Sequence, residues 1–365
     1  MKFYYFLKSV FTKRIIYFQR RFDELRITIK TRRYMKSLMY KMNLPKLSSE
    51  EIKELKSFYK SNGYKLRNTY WHRYYKGING EFHKNYMPYD LFSSIINPRL
   101  NQKRHWPALL DKNLTYNLFK DFSQPKRVVQ NINGFYYIDN KIVDLQKAID
   151  ACKILKDKMI IKPTVGSGAG KMVNAFIIVN NKTTYKNYSL EKLFKIYNKD
   201  FIIQEFIEQS KIMKSLNPSS LNTLRIVSYL NEDGVHIVSS VLRIGKLGSD
   251  TDNFSTGGLF CGVSKNGNLK GKGYNPNGDV LTETSTGVVL KDCKIPHYIK
   301  VLDMVKSMHY LVPYFKIISW DIGIDKDELP VLIEYNTHRQ GIDLQIADGP
   351  FLGDFTEEIL ALSLK

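Results

Sequence analysis

Two short stretches, Ser319-Trp320-Asp321-Ile322-Gly323 and Leu332-Ile333-Glu334-Tyr335-Asn336, decide the fold of this chain. They belong to predicted strands at residues 317–324 and 331–335, whose isoleucine and leucine residues indicate partial burial. With a turn centred between Asp327 and Glu328, the strands pair antiparallel and Asp321 lies directly opposite Glu334. Asn336 shares the face of Glu334, because side chains repeat every two residues along a strand.

This predicted hairpin brings three oxygen ligands together. Two carboxylates that face each other at roughly 5 Å repel unless a cation lies between them. Hard oxygen ligands without a nearby histidine and cysteine set favour Mg²⁺ or Mn²⁺ that carries nucleotide phosphates. We therefore predict that Asp321, Glu334 and Asn336 bind a divalent metal, the alternative being a solvated hairpin with scattered acids.

A glycine-rich loop, Lys162-Pro163-Thr164-Val165-Gly166-Ser167-Gly168-Ala169-Gly170-Lys171, lies between predicted strands at 159–162 and 173–179. Bare backbone N–H groups in such a loop can surround phosphate oxygens without obstruction by side chains. A Walker loop is excluded, because Met172 follows Lys171 and the next element is a strand. The loop is predicted to cover phosphates, and the alternative is a flexible hairpin without chemistry.

The rest of the chain has mixed patterns. Ser48 and Glu51 form a predicted capping box at the start of a helix that ends at Gly63. The aromatic, basic stretch 64–106 reads as irregular, and a long loop rich in glycine and asparagine is predicted after Ile244. Strands are predicted at 201–205, 224–230 and 235–244, and helices at 189–197, at 296–310 and from Asp354 onward.

Residues 2–46 form a strongly basic segment, with thirteen lysines and arginines against only Asp23 and Glu24. Apolar residues at steps of three and four predict one face of an amphipathic helix; they are Phe11, Ile15, Phe18, Phe22, Leu25 and Ile29. This stripe either packs on the protein or on a second copy, or it lies on an anionic membrane surface.

The overall composition narrows the class of protein. The chain has 365 residues, 43% hydrophobic content and a formal net charge of +21, which suits a folded protein that attracts anions. The three cysteines are too far apart for a zinc site or a disulfide framework. No run matches a membrane span or a signal peptide, so we expect a cytoplasmic protein that is soluble or peripheral.

These parts occur in an order that resembles the ATP-grasp superfamily over about residues 106–365. The order is a lysine, the Lys-Pro strand, the glycine loop, Gln204-Glu205-Phe206-Ile207 and the final acidic hairpin. The sugar-transfer-associated branch is the most similar; its strings here are Asn217-Pro218-Ser219-Ser220-Leu221-Asn222-Thr223-Leu224-Arg225, Leu242-Arg243-Ile244-Gly245 and Asp252-Asn253-Phe254-Ser255-Thr256-Gly257-Gly258. The basic helix is outside the superfamily pattern.

The resemblance implies an α+β ATP-grasp fold, in which two lobes with antiparallel sheets grip ATP, with the basic amphipathic helix added. Together, the residue patterns and the resemblance predict four segments: an arm (1–47), an N-terminal lobe (48–110), a small subdomain (111–207) and a large subdomain with the metal hairpin (208–365). ATP and Mg²⁺, or Mn²⁺, are the implied cofactors.

The resemblance also implies roles for single residues. Lys112, Lys162 and the loop residues Gly166, Ser167, Gly168 and Gly170 would hold ATP phosphates. Glu205, Phe206 and Ile207 would form the adenine hinge, with Glu208 toward the ribose. Arg225, Arg243 and Asn253 would act at the transferring phosphoryl group or on an acidic substrate. Glu334 would be shared between two metal ions.

For function, the resemblance implies a carboxylate–amine ligase acting on a sugar acid, an amino sugar or an amino acid, lipid- or nucleotide-linked, in the synthesis of bacterial capsular or surface polysaccharide. A phosphotransferase acting on a carbohydrate hydroxyl is the alternative within the same ATP site. The basic arm and its tyrosines would also suit a non-catalytic polyanion-binding module. The acidic hairpin argues against that module and against nucleic acid as the partner, because neither uses opposed carboxylates.

Overall fold

The computed structural model describes residues 2–364 except 167–169, 171, 250–251, 253, 255–256 and 339. It does not describe the side chains of residues 2–13, 16–17, 19–20, 23–24 and 103. The chain forms two compact units, one made of residues 1–101 with 338–365 and the other of residues 102–337. The division into four segments at 47, 110 and 207 stays a prediction.

The first unit is helical and the second mixes helices with sheets. The α-helices are α1 (Lys2–Lys41), α2 (Ser49–Ser61), α3 (Tyr70–Asn79), α4 (Tyr89–Leu91), α5 (Asn97–Leu100), α6 (Trp106–Leu109), α7 (Lys112–Leu118), α8 (Leu145–Ile154), α9 (Leu190–Tyr197), α10 (Lys211–Leu216), α11 (Tyr298–Tyr310), α12 (Gln345–Asp348) and α13 (Thr356–Leu364). A π-helix, Phe92–Ile96, and short 3₁₀ turns at Lys103–His105, Leu290–Asp292 and Gly353–Phe355 complete the helical parts.

The strands lie in the second unit. They are β1 (Arg127–Ile132), β2 (Phe135–Ile138), β3 (Lys141–Val143), β4 (Met159–Pro163), β5 (Asn174–Phe176), β6 (Ile178–Val179), β7 (Lys182–Thr183), β8 (Phe201–Glu205), β9 (Thr223–Asn231), β10 (Gly234–Ile244), β11 (Leu259–Val263), β12 (Leu269–Tyr274), β13 (Val280–Leu281), β14 (Ile317–Ile324) and β15 (Pro330–Asn336). The six-stranded sheet has the order β3-β2-β1-β8-β4-β5, the seven-stranded sheet has the order β13-β12-β11-β10-β9-β14-β15, and β6 pairs with β7.

Several local predictions are confirmed. The backbone N–H of Ser48 donates to the Glu51 carboxylate at 2.8 Å, and that of Glu51 donates to the Ser48 hydroxyl at 3.1 Å, which completes the capping box. Gly63 follows the end of α2 with a φ of +80°, the left-handed conformation that glycine adopts without strain. The predicted strand 173–179 is divided, because Ile177 separates β5 from β6.

Two predictions of irregular structure are wrong. The stretch 64–106 contains α3, α4, the π-helix and α5, and the loop predicted after Ile244 contains β11 to β13. Glycines interrupt the apolar pattern of β11 and β12, which hides these strands in the sequence. At Gly273 a Cβ atom would lie 2.6 Å from the side chain of the buried Leu259 on β11, so any larger residue there would displace that leucine.

The core of the second unit fixes β14. Trp320, Ile318 and Ile322 are fully buried in a cluster that also contains Phe119 from the end of α7. The indole N–H of Trp320 donates to the Ser228 hydroxyl on β9 at 2.7 Å, so its polar atom is satisfied inside the core. Because alternate residues of a strand face opposite sides, burial of Trp320 sets the face on which Asp321 lies.

Within the described residues, no helix combines the length and the apolar character that are needed to cross a membrane.

Candidate functional site

The hairpin β14–β15 places Asp321 opposite Glu334, as predicted. Ile324 pairs with Pro330, so the turn is centred on Asp327 and not between Asp327 and Glu328. The register then shifts between Asp321 and Ile322, which is the effect of one extra residue in a β-bulge on β15. The extra residue shifts the pairing by one position. Asp321 therefore still lies opposite Glu334, although the turn is not centred where it was predicted.

Two arginines neutralise Asp321. Arg225 lies directly opposite it on β9, and its Nη2 donates to Asp321 Oδ2 at 2.9 Å, while its Nε contacts Oδ1. Arg243, on β10, donates from Nη1 to the same Oδ2 at 3.1 Å. Burial alone raises the pKa of Asp321, but the two guanidinium groups outweigh it and hold that pKa below its ordinary value.

Arg243 also reaches a second buried acid. Its Nη2 donates to Asp252 Oδ1 at 2.6 Å, and the Thr223 hydroxyl contacts the other oxygen of Asp252. Burial lowers the pKa of Arg243, but Asp252 and Asp321 raise it well above its ordinary value, so this guanidinium stays charged. Asp252 was not predicted as a site residue, although it lies in a quoted string; the predicted Asn253 lies outside the described residues.

The arginine contacts of Asp321 weaken the electrostatic argument for a metal ion. The cation that the opposed acids require is already supplied by Arg225 and Arg243, so repulsion alone does not demand an ion. No cluster of three or more histidine, cysteine, aspartate or glutamate side chains able to hold a metal occurs in the part of the chain that the structure describes. The metal assignment to Asp321, Glu334 and Asn336 stays a prediction.

The donor set nevertheless fits a hard cation. Glu334 is half-buried at the cleft, and its carboxylate lies 3.5 Å from Lys112 Nζ. The amide nitrogen of Asn336 is buried without a hydrogen-bond partner, so no protein contact holds that end of the amide and its oxygen can turn toward a ligand. A carboxylate has about four lone-pair positions, and Asp321 uses three of them for arginine.

A cleft adjoins this hairpin. Its lining includes Lys112 at the start of α7, Lys162 on β4, Glu334 on β15 and Tyr116. The structure thus brings the two predicted lysines and one predicted metal ligand to one cleft.

Thr164 lies in the glycine-rich loop just after β4, and its carbonyl accepts a hydrogen bond from the backbone N–H of Lys112 at 3.1 Å. Gly166 and Gly170 both have positive φ, +69° and +71°, which glycine adopts at no steric cost. The predicted residues Ser167 and Gly168 lie outside the described residues. The role of the loop over phosphates stays a prediction.

The predicted adenine hinge follows β8. The backbone N–H groups of Glu205 and Phe206 donate to Lys126 O and Lys158 O, both at 2.9 Å, and Glu208 is exposed. None of the four predicted residues, Glu205, Phe206, Ile207 and Glu208, is among the described residues that line the cleft.

Sequence reasoning missed Gln204, the residue just before this hinge. Gln204 lines the cleft and is 7% exposed, and its Oε1 atom is buried with no hydrogen-bond partner. An unsatisfied buried acceptor at a pocket wall suits a ligand N–H group such as an exocyclic amine. A polar residue at the end of the apolar run Phe201-Ile202-Ile203 is the signal that could have identified it.

Lys162 gives the site a pH dependence. Burial and the charge of Lys112 lower its pKa to about 8, although Glu334 acts in the opposite direction. Above pH 8 the free protein therefore carries a neutral Lys162, and an ATP phosphate has to bind together with a proton. We expect the affinity for ATP to fall as the pH rises from 8 to 10.

Calorimetry in buffers of different ionisation enthalpy measures this proton uptake. Lys162→Ala is expected to weaken ATP binding at pH 7 by about tenfold or more and to remove the pH dependence. Lys156→Ala, at an exposed lysine of the same unit that does not line the cleft, is the matched control and should retain both. Wild-type affinity in Lys162→Ala would place the phosphates elsewhere.

A model of the family described as sugar-transfer associated ATP-grasp matches residues 92–360. No curated protein matches the sequence.

Solved structures with a similar fold include an L-amino acid ligase from Bacillus licheniformis, which is 13% identical with a TM-score of 0.40 over 71% of this chain and 48% of the ligase. The ATP-grasp ligase PsnB, in complex with a phosphomimetic variant of its minimal precursor, Mg and ADP, is 12% identical with a TM-score of 0.41 over 73% of this chain and 62% of PsnB. For a D-alanine–D-alanine ligase from Bacillus anthracis in complex with ATP, the identity is 10% and the TM-score is 0.36 over 70% of this chain and 64% of the ligase. This chain therefore spans less than two thirds of each of these proteins.

The family model covers most of the chain, including the cleft, both arginines and the acidic hairpin. The two antiparallel sheets agree with the α+β ATP-grasp fold that the resemblance implied. The chain belongs to the sugar-transfer-associated ATP-grasp family.

Proposed function

We propose that the protein is an ATP-dependent ligase that activates a carboxylate as an acyl phosphate and joins it to an amine. Its substrate would be a sugar acid, an amino sugar or an amino acid, lipid- or nucleotide-linked, used in a bacterial capsular or surface polysaccharide. The observation that carries the proposal is a cleft with two lysines, Lys112 and Lys162, beside Glu334. The family description supports the link to sugars.

In this proposal, the two lysines bind the phosphates of ATP. Lys162 is buried, so its charge acts at short range in a medium of low effective dielectric. Gln204 offers its unsatisfied Oε1 atom to the amine of adenine. The hinge Glu205–Ile207 and Glu208 would complete the nucleoside end, as the family resemblance implies.

Glu334 and Asn336, with the remaining lone pair of Asp321, would hold Mg²⁺ or Mn²⁺. When bound, such an ion neutralises the negative charge of the phosphates. The carboxylate of Glu334 is best placed for this role, because it is half-exposed at the cleft and its contact with Lys112 is a loose 3.5 Å.

We assign different roles to the two arginines. Arg225 has 16% of its side chain exposed and, among the described residues, forms an ion pair only with Asp321, so it is placed to turn toward a phosphoryl group or an acidic substrate. Arg243 has 8% exposed and bonds both Asp252 and Asp321, so it acts as a positioning residue. Fixed positive charge of this kind stabilises the charge that accumulates when a carboxylate attacks a phosphate.

An acyl phosphate hydrolyses in water, so the site has to exclude solvent during the reaction. The glycine loop, including Gly166 and Gly170, would close over the phosphates for this purpose. An amine would then attack the acyl carbon and release phosphate. We place this reaction in the cytoplasm, at the inner face of the cytoplasmic membrane.

Hydroxylamine trapping tests this proposal. With ATP, Mg²⁺ and a panel of uronic acids and amino acids, the protein should release ADP, and hydroxylamine should convert the acyl phosphate of the correct acid to a hydroxamate. The Lys162→Ala variant controls for contaminating activity. Formation of AMP and pyrophosphate, or of a stable sugar phosphate without hydroxamate, would contradict the ligase assignment.

A further inference from the structure

Helix α1 presents an apolar stripe to solvent. Ile15, Phe18, Phe22, Leu25 and Ile29 are 55%, 69%, 67%, 51% and 41% exposed. At 3.6 residues per turn they fall within about 80° of the helix circumference and extend over about 21 Å. Five large apolar side chains in one row on a surface helix are unusual, because folding normally buries such a row.

A different face of α1 attaches the helix to the first unit. Thr31, Met35 and Met39 are 9%, 0% and 4% exposed, and the helix packs there against α3, α4 and the π-helix. At 3.6 residues per turn this buried face lies about 120° around the helix from the stripe. The alternative that the stripe packs on the body of the protein is therefore wrong for residues 15–29.

Positive charge borders the stripe on both sides. Exposed cations among the described side chains of residues 14–36 are Arg14, Arg21, Arg26, Lys30, Arg33 and Lys36. Asp23 and Glu24 are the only acids in the sequence from residue 2 to residue 49. A second copy docked along the stripe would bring these cations close to those of its partner, and like charges at an interface cost affinity.

We propose that residues 14–36 of α1 bind an anionic lipid surface, with the stripe inserted at the boundary between headgroups and acyl chains. The apolar side chains supply buried area, and the flanking cations are attracted to lipid phosphates. The stripe residues are not among the residues that line the cleft, so the inference deepens the proposed location without depending on the reaction.

Vesicle flotation of the full chain tests the inference. Vesicles of phosphatidylcholine with about one third phosphatidylglycerol should bind the protein, and pure phosphatidylcholine should not. Replacing Phe18, Phe22 and Leu25 together by alanine should lower binding about tenfold or more, because the apolar area is lost while every cation remains. The matched control is Ile142→Ala with Ile154→Ala, two residues of the second unit that are 66% and 79% exposed.

The control variant should bind anionic vesicles as the wild type does. Equal binding by the stripe variant, or no binding of the wild type at low salt, would overturn the inference. So would a dimer, detected by sedimentation without lipid, that the stripe variant loses, since a second copy would then cover the stripe. Retention of the wild type on duplex DNA but not on vesicles would also overturn it. None of these outcomes bears on ATP turnover, which is measured without lipid.

Discussion

Replacing Glu334 by glutamine is expected to lower ATP turnover by at least about a hundredfold while the fold stays intact. The change keeps the size of the side chain but removes a negative charge at the cleft, where the proposal places a divalent cation. Glu334 is paired with Lys112 at 3.5 Å, and its exposed fraction is 32%, so loss of the charge has a small effect on stability. ADP release at saturating Mg-ATP, with thermal unfolding as the check on folding, measures the effect.

Glu328→Gln is the matched control for this variant. Glu328 lies in the turn of the same hairpin and is exposed, so the same chemical change there should leave turnover unchanged. Turnover of Glu334→Gln at the wild-type rate would remove the metal assignment from β15. If both variants lost turnover, the effect would come from removing any negative charge from the hairpin and would not identify Glu334 as a metal ligand.

The second large effect concerns stability. Arg243→Met should destabilise the protein by about 3–5 kcal/mol, because Asp252 and one oxygen of Asp321 would remain buried without this partner. Arg225→Met should cost less, since Arg243 still pairs with Asp321 and Arg225 is the more exposed of the two arginines. Urea unfolding of both variants, followed by circular dichroism, compares the free energies of unfolding.

A double variant isolates the cause. Adding Asp252→Asn to Arg243→Met removes the orphaned charge and should recover part of the lost free energy of unfolding. Equal stability of Arg243→Met and the wild type would mean that the buried pair contributes little. If the double variant were no more stable than Arg243→Met, the destabilisation would come from lost packing and not from an unpaired acid.

The sequence specified the acidic hairpin well, because its information is local. Apolar residues on both strands and a polar turn set the register, and one bulge between Asp321 and the turn changes only the turn centre. The capping box at Ser48 is local for the same reason. Strands β11 and β12 could not be predicted from local sequence. Gly273 on β12 leaves room for Leu259 on the neighbouring strand, and residues adjacent in sequence give no sign of that contact.

The contacts of the site were harder to predict, because they join distant parts of the chain. Arg225 is 96 residues from Asp321 in sequence, and they meet only because β9 pairs with β14. The opposed acids Asp321 and Glu334 do require a positive charge nearby. The sequence alone did not show that arginine side chains supply it. Gln204 was missed for a similar reason: an unsatisfied acceptor is a property of its surroundings, not of its position in a pattern.

Oxygen-18 in the carboxylate of the acid substrate tests the acyl-phosphate route most directly. The γ-phosphoryl group of ATP bonds to a carboxylate oxygen, and the later attack of the amine breaks the bond between that oxygen and the acyl carbon. The released phosphate should therefore carry one labelled oxygen, as measured by mass spectrometry. Unlabelled phosphate, formed while the amide product accumulates, would contradict the acyl phosphate, and phosphate retained on a sugar hydroxyl would replace the ligase by a phosphotransferase.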